Sequence, residues 1–113
     1  MGIEVTLRYR FPMITCFIRY EIDPFNREAF AQYARTWHEV IPRCGAQLIG
    51  YFAPHEGSTT TTFGVYSIAD LAAYEQYRAR IAADPAGNAN FAFAARERFI
   101  RDESRLFLKR VES

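Results

Sequence analysis

No apolar run in this chain comes near the ~20 residues that span a bilayer, which argues against a transmembrane helix. The first 30 residues also lack the basic-then-apolar layout of a secretory signal. Neither sign of charge dominates. Fourteen basic and 13 acidic side chains leave a net charge of +1, and no stretch holds the surplus of Lys and Arg that phosphate binding needs. Nucleic acid and membrane are therefore not expected as partners. Cysteine is scarce as well. Cys16 and Cys44 have neither CxxC spacing nor the density of a disulfide scaffold, and each lies among apolar neighbours as a small buried hydrophobe would. A reduced, cytoplasmic protein is the expectation. The two histidines, His38 and His55, form no HxxxH or HxH pair and no Cys/His cluster, so no metal site is expected.

What the chain does have is aromatics, 16% of residues, and strong periodicity. Residues 3–11, IEVTLRYRF, alternate strictly and read as a strand ended by Pro12. The first six residues also fit an N-myristoylation pattern, but so short a pattern is common by chance and the strand already accounts for them. A second strand follows from Ile14 to Ile22, with Ile14, Cys16, Ile18, Tyr20 and Ile22 on one face. Asp23-Pro24 is expected to start a helix, Asp as N-cap and Pro at its first position. Its apolar stripe is Phe30, Tyr33, Ala34, Trp37, Ile41 and Cys44, and Gly45 suits the residue past its end. Pro42 should bend or tighten the last turn, because it has no N–H for the His38 carbonyl.

Residues 47–53 and 59–67 are rich in β-branched and aromatic side chains and flank a loop bearing Pro54 and Gly57, which predicts a hairpin. His55 and Glu56 then sit in its turn, where exposed polar residues need no catalytic reason. The four threonines from Thr59 to Thr62 read as strand propensity. Ser67 or Asp70 caps a second helix with Leu71, Tyr74, Arg78 and Ile81 on one stripe and Tyr77 beside it, stopping at Asp84-Pro85. A third helical stretch spans about residues 88–100, with Phe91, Ala94, Ala95 and Phe99 inward, and a last strand covers Ser104 to Val111. Arg96, Arg98, Arg101 and Arg105 alternate with Glu97, Asp102 and Glu103 and read as a solvated face.

This order, β-α-β-β-α-(α)-β, is the ferredoxin-like split βαβ arrangement, an α+β fold. Its helices cover one sheet face only. In the hairpin, Leu48 and Phe52 face one way and Ile49, Tyr51 and Ala53 the other, while Phe63 and Val65 oppose Tyr66. Apolar residues on both faces predict that the helix-free face is covered too, most simply by a second copy in a two-fold homodimer.

The segments MITCFIRYEIDPF, FAQYARTWHEVIPRCG, GYFAPHEG, FGVYSIADLAAYEQYR, ADP with NFAFA, and FLKRV together resemble the NIPSNAP family, from Met13 to the C-terminus. The resemblance implies ferredoxin-like subunits paired into a dimeric α/β barrel and brings no catalytic motif. It makes residues 1–12 an N-terminal extension, expected as an added edge strand or arm, and 13–113 the domain proper. Barrels of this superfamily often keep a pocket between helix and sheet. Here it would be lined by Trp37, Tyr33, Tyr20, Phe63, Tyr66 and Tyr74, with His38, one step off the buried stripe, as its polar or proton-accepting group. The plainer reading makes the aromatics ordinary core and His38 a boundary residue. Two functions stay open. One is a small binding or interaction module taking a hydrophobic ligand without a cofactor. The other is a monooxygenase or isomerase for a hydrophobic metabolite, cofactor-free or haem-dependent, by analogy with relatives of the same architecture.

Overall fold

The computed structural model describes residues 13–112, so the strand read at 3–11 lies outside the described residues. Within them run β1 (Ile14–Ile22), α1 (Arg27–Arg43), β2 (Gln47–Phe52), β3 (Thr61–Ile68), α2 (Leu71–Ala83), α3 (Pro85–Glu97) and β4 (Ile100–Lys109). The four strands form one sheet in the order β2-β3-β1-β4, with every neighbouring pair antiparallel. This is the ferredoxin-like arrangement expected from the element order.

β1 is the axis of the fold. Its alternation holds throughout: Ile14, Cys16, Ile18, Tyr20 and Ile22 are buried under the helices, and Thr15, Phe17, Arg19 and Glu21 take the other face. Phe30, Tyr33, Ala34, Trp37 and Ile41 of α1 pack onto that buried row. The end of α1 tightens as Pro42 requires. The amide of Cys44 reaches Ile41 O at 3.2 Å and that of Gly45 reaches Pro42 O at 3.2 Å, both three residues back. Gly45 then turns the chain with φ of 108°, in the left-handed region that favours glycine.

Several boundaries depart from the expectation, each for a local reason. Asp23-Pro24 makes a turn and not a helix start. The Asn26 amide donates to Asp23 O (3.1 Å) and the Phe25 amide to Asp23 Oδ1 (2.9 Å). Asp-Pro is a signature shared by type I turns and helix starts, and here the turn wins. In β2 the register shifts between Leu48 and Gly50, and this bulge places Tyr51 on the helix-covered face with Leu48, the reverse of strict alternation. Of the threonine run, strand begins only at Thr61. The Thr60 and Thr61 hydroxyls instead donate to the Glu21 carboxylate at 2.7 and 3.0 Å, which helps hold that acid below its ordinary range. Leu71 lies at the exposed start of α2, 60% exposed, and Arg78 is exposed as well, while Tyr74, Tyr77 and Ile81 carry the buried stripe.

Asp70 caps α2, accepting from the Ala73 amide at 2.8 Å. Asp84 is both the end of α2 and the cap of α3. It accepts from the Ala86 and Gly87 amides, each at 3.0 Å, and Pro85 fills the first helical position. α3 therefore begins earlier than expected, and Phe99, fully buried, lies beyond its end. β4 likewise starts at Ile100 rather than Ser104.

The Asp84 carboxylate also takes two hydrogen bonds from the Arg43 guanidinium, both 2.9 Å. Arg43 and the two amides hold its pKa down at about 2, against an ordinary 3.8. A carboxylate whose pKa is lowered by folding adds stability above its unfolded value and loses it as pH falls through the folded one. Thermal unfolding should therefore show a stability loss between about pH 4 and pH 2 that Asp84→Asn largely removes, with the variant less stable than the wild type at neutral pH. Parallel pH curves for the two proteins would contradict this account.

Candidate functional site

The helix-covered face does not close completely. Between α1, α2, α3 and the sheet lies an open-mouthed cavity of about 310 Å³, at the small end of the range for ligand sites. β1 contributes Ile18 and Tyr20, and α1 contributes Tyr33, Trp37 and Ile41. Tyr51 comes from β2 and Tyr66 from β3. Tyr77, Arg78, Ile81 and Ala82 of α2, Phe91 of α3 and Glu103 with Arg105 of β4 complete the wall.

Rigid rings create this space. Tyr33 meets Trp37 edge-on at 5.6 Å and Tyr20 at 6.3 Å, and Tyr20 meets Phe30 edge-on at 5.2 Å. Edge-to-face packing is the favoured geometry for such pairs. Tyr51 reaches the cavity across Gly64, where a Cβ would lie 2.6 Å from its ring, so glycine is what admits the tyrosine there. Phe91, 48% exposed, lies 5.0 Å from Trp37 at the rim and not in the core.

Polar tips face the difficulty that burial creates. Trp37 and Tyr66 are 3% and 1% exposed, yet among the described residues Trp37 Nε1 and the Tyr66 hydroxyl make no well-formed hydrogen bond, with Tyr33 near the first and Cys16 and Tyr77 near the second. Leaving a buried donor unpaired costs about 1–3 kcal/mol. Burial raises the pKa of Tyr20, Tyr51, Tyr66 and Tyr77 above the ordinary 10.0 and pushes Tyr33 up to about 12. At neutral pH these phenols are protonated donors, not bases. Three charged side chains stand in the same wall, Arg78 of α2 and Glu103 and Arg105 of β4. Arg105 donates to Glu103 Oε2 at 3.1 Å and to the Tyr74 hydroxyl at 2.9 Å.

Of the residues read from sequence as pocket lining, Tyr20, Tyr33, Trp37 and Tyr66 meet in the cavity. Phe63 instead pairs with Phe52 and Arg19 on the helix-free face. Tyr74 stands behind the wall, holding Arg105. His38 is exposed and absent from the lining; its Nδ1 lies 2.8 Å from the Ala34 carbonyl, one helical turn back. Tyr51, Tyr77, Glu103 and Arg105 were not anticipated. Glu103 and Arg105 belong to the segment read as a solvated face, but their register opposite Tyr20 and Ile18 puts them beside the cavity. Knowing that β4 pairs with β1 would have been enough to find them. His55 and Glu56 are exposed in the loop between β2 and β3. Among the described residues no group of three or more His, Cys, Asp or Glu could hold a metal ion, and no helix is long and apolar enough to cross a membrane.

Fold and site together define a ferredoxin-like α+β domain with an aromatic cavity between its sheet and helices. Comparison with known families matches residues 15–113 to NIPSNAP, and the chain belongs to that family. No curated protein matches it. Among solved structures it is similar to a NIPSNAP family protein of unknown function from Agrobacterium tumefaciens, at 17% identity and a TM-score of 0.78 over 91% of this chain and 92% of that one. An uncharacterised NIPSNAP-like domain protein from Burkholderia xenovorans is 22% identical, with a TM-score of 0.73 over 88% and 86% of the two chains. SnoaB, a cofactor-independent oxygenase from Streptomyces nogalater, is 12% identical, with a TM-score of 0.55 over 89% and 95%.

The buried tyrosines make a direct prediction. Unfolded tyrosines ionise near 10.0, whereas these five hold their protons to higher pH, so folding stability should decline as pH rises above that value. In a spectrophotometric titration of the folded protein, Tyr20, Tyr33, Tyr51, Tyr66 and Tyr77 should form phenolate only with unfolding or well above pH 10.0, so the phenolate signal near that pH should be far below that of the unfolded chain.

Proposed function

We propose that the chain is a NIPSNAP-type binding protein that takes a small, largely aromatic molecule into the cavity between its sheet and helices. The observation that supports this is the pair of buried, unpartnered donors, Trp37 Nε1 and the Tyr66 hydroxyl, in residues that line a ligand-sized cavity. An acceptor on a ligand would recover part of the cost of burying them. Trp37 is the sole tryptophan and reports on its own site. Titration with a small aromatic quencher such as nitrophenol should reduce its fluorescence saturably and raise Tm. Quenching that stays linear in quencher, with no shift in Tm, would count against a site.

The second reading, oxygenation of a hydrophobic substrate, draws on the likeness to SnoaB, which at 12% identity is a likeness of fold. A cofactor-free oxygenase needs a base to form the substrate anion. His38 does not line the cavity, and the one carboxylate there, Glu103, is held by Arg105. No histidine or cysteine lines it either, so it offers haem no imidazole or thiolate ligand. These residues favour binding over chemistry.

We also propose that the working form is a homodimer joined through the helix-free sheet face, in a cytoplasmic setting that suits the two buried free cysteines. That face carries an apolar band. Val65, Phe17 and Leu106 stand side by side across β3, β1 and β4, flanked by Phe52 with Phe63 and by Leu108. Phe52 and Leu106 are 53% and 59% exposed, the kind of patch that a second copy covers. Light scattering at micromolar concentration should give twice the 13.1 kDa chain mass, and Leu106→Glu should give monomers that keep their fold. A wild-type monomer would overturn the proposal.

A further inference from the structure

The charges around the cavity are unequal, and they say something about its ligand. β1, α1, β2, β3 and α3 bring only neutral side chains to the wall. α2 brings Arg78, and β4 brings Glu103 and Arg105. Glu103 is already spent on Arg105, 3.1 Å away. Arg78 has only a loose pairing with Glu75 at 4.0 Å, itself outside the wall, and its guanidinium lies 5.8 Å from the centre of the Tyr74 ring. Among the described residues, two cations therefore face one anion. The neutral polar groups lean the same way. The tyrosine hydroxyls are protonated at neutral pH and can each donate as well as accept, and a tryptophan N–H can only donate.

Arg105 is the better anchored of the two arginines. It sits on a strand, its hydrogen bond to the Tyr74 hydroxyl at 2.9 Å fixes one arm, and Phe107, next on the same face of β4, packs edge-on against the Tyr74 ring at 4.6 Å. A guanidinium held in this way is organised in advance for a planar anion and loses little freedom on binding one. The aromatic wall suits a flat ring, and the arginines mark where its charge would lie.

We infer that the ligand of this cavity is a flat aromatic monoanion, in its simplest form an aryl carboxylate. Its ring lies among Tyr20, Tyr33, Trp37 and Tyr51, and its acidic group lies toward Arg105, with Arg78 at the rim. The inference rests on the reading of the cavity as a binding site and adds the charge class of what it takes.

Three probes of nearly equal shape separate the two ideas: naphthoate, naphthamide and naphthylmethylammonium, titrated calorimetrically into the full chain. Naphthoate should bind about tenfold or more tighter than the amide, as a charge-assisted contact implies, and the ammonium weakest. Arg105→Gln should bring naphthoate down to the affinity of the amide, and Arg78→Gln should weaken it less. Glu103→Gln should tighten naphthoate, because it removes the competing carboxylate, and leave the amide unchanged. A merely structural role for the pair would weaken all three probes together in both variants. Should Arg105→Gln fail to fold, the exposed Arg78→Gln and the half-exposed Glu103→Gln still carry the test through their opposite signs. Equal affinities for the three probes would overturn the anion inference and leave the binding site standing. No binding by any probe would overturn both.

Discussion

The constraint on which the rest of this structure depends is that the aromatic stripe of α1 must lie across β1. Phe30, Tyr33 and Trp37 follow one another at helical spacing, and β1 offers Ile18, Tyr20 and Ile22 at strand spacing on the face below. Burying each such ring contributes about 1.5–3 kcal/mol, and well-placed ring pairs add about 0.5–1.5 kcal/mol. Yet rings are stiff plates. Set edge to face, they cannot flow into every gap as leucine or methionine would, and three of these four aromatics carry a polar tip. The same choice of residues that secures the helix to the sheet therefore leaves a cavity and lines it with donors.

β4 gives that cavity direction, because it places charge on one side of an otherwise largely aromatic wall. Among the described residues β4 is at the sheet edge, where α2 reaches it through Tyr74, and there it can hold charged side chains on its inner face without fully burying them. Glu103 and Arg105 use this, each keeping over a third of its side chain in contact with solvent. Full burial of the pair would have cost several kcal/mol per ion in desolvation. At the open end of the cavity that cost is reduced while the charges still face a low-dielectric wall, where they act more strongly than in water.

Much of this was legible in the sequence because period and length reinforce each other in β1 and α1. Nine residues of strict alternation and 17 at helical spacing leave little room for another reading, and they carried Tyr20, Tyr33 and Trp37 with them. Tyr66 followed from the alternation of β3. Where the sequence misled, the deciding interaction was non-local. The bulge between Leu48 and Gly50 depends on how β2 pairs with β3, and it reverses the facing of Tyr51. Phe63 suits a pocket by its chemistry, but alternation with Tyr66 and its register opposite Arg19 put it on the other face. Arg105 and Glu103 looked like solvated charges because charge usually signals solvent, and only the pairing of β4 with β1 shows otherwise. His38 stands next to a buried tryptophan in the sequence. One step along a helix is about 100° of rotation, and here that rotation takes His38 out of the cavity lining, though its ring is 6.1 Å from that of Tyr51.

The alternation of the strands also separates two properties that such a small domain could easily have entangled. On β1, Ile18 and Tyr20 serve the cavity while Phe17 and Arg19 face the open side; on β4, Arg105 serves the cavity while Leu106 faces away. A partner covering the open face would bury Phe52, Leu106 and Leu108, whereas the sheet residues of the cavity wall lie on the opposite face. The proposed assembly and the proposed ligand binding would thus draw on different residues of the same strands, and a substitution on one face need not disturb the other. The two faces can still communicate through the backbone they share, and most directly at neighbouring residues such as Arg105 and Leu106. A shift of β4 against β1 moves the arginine and the apolar band together, so any coupling between assembly and binding would have to run through the register of that one strand pair.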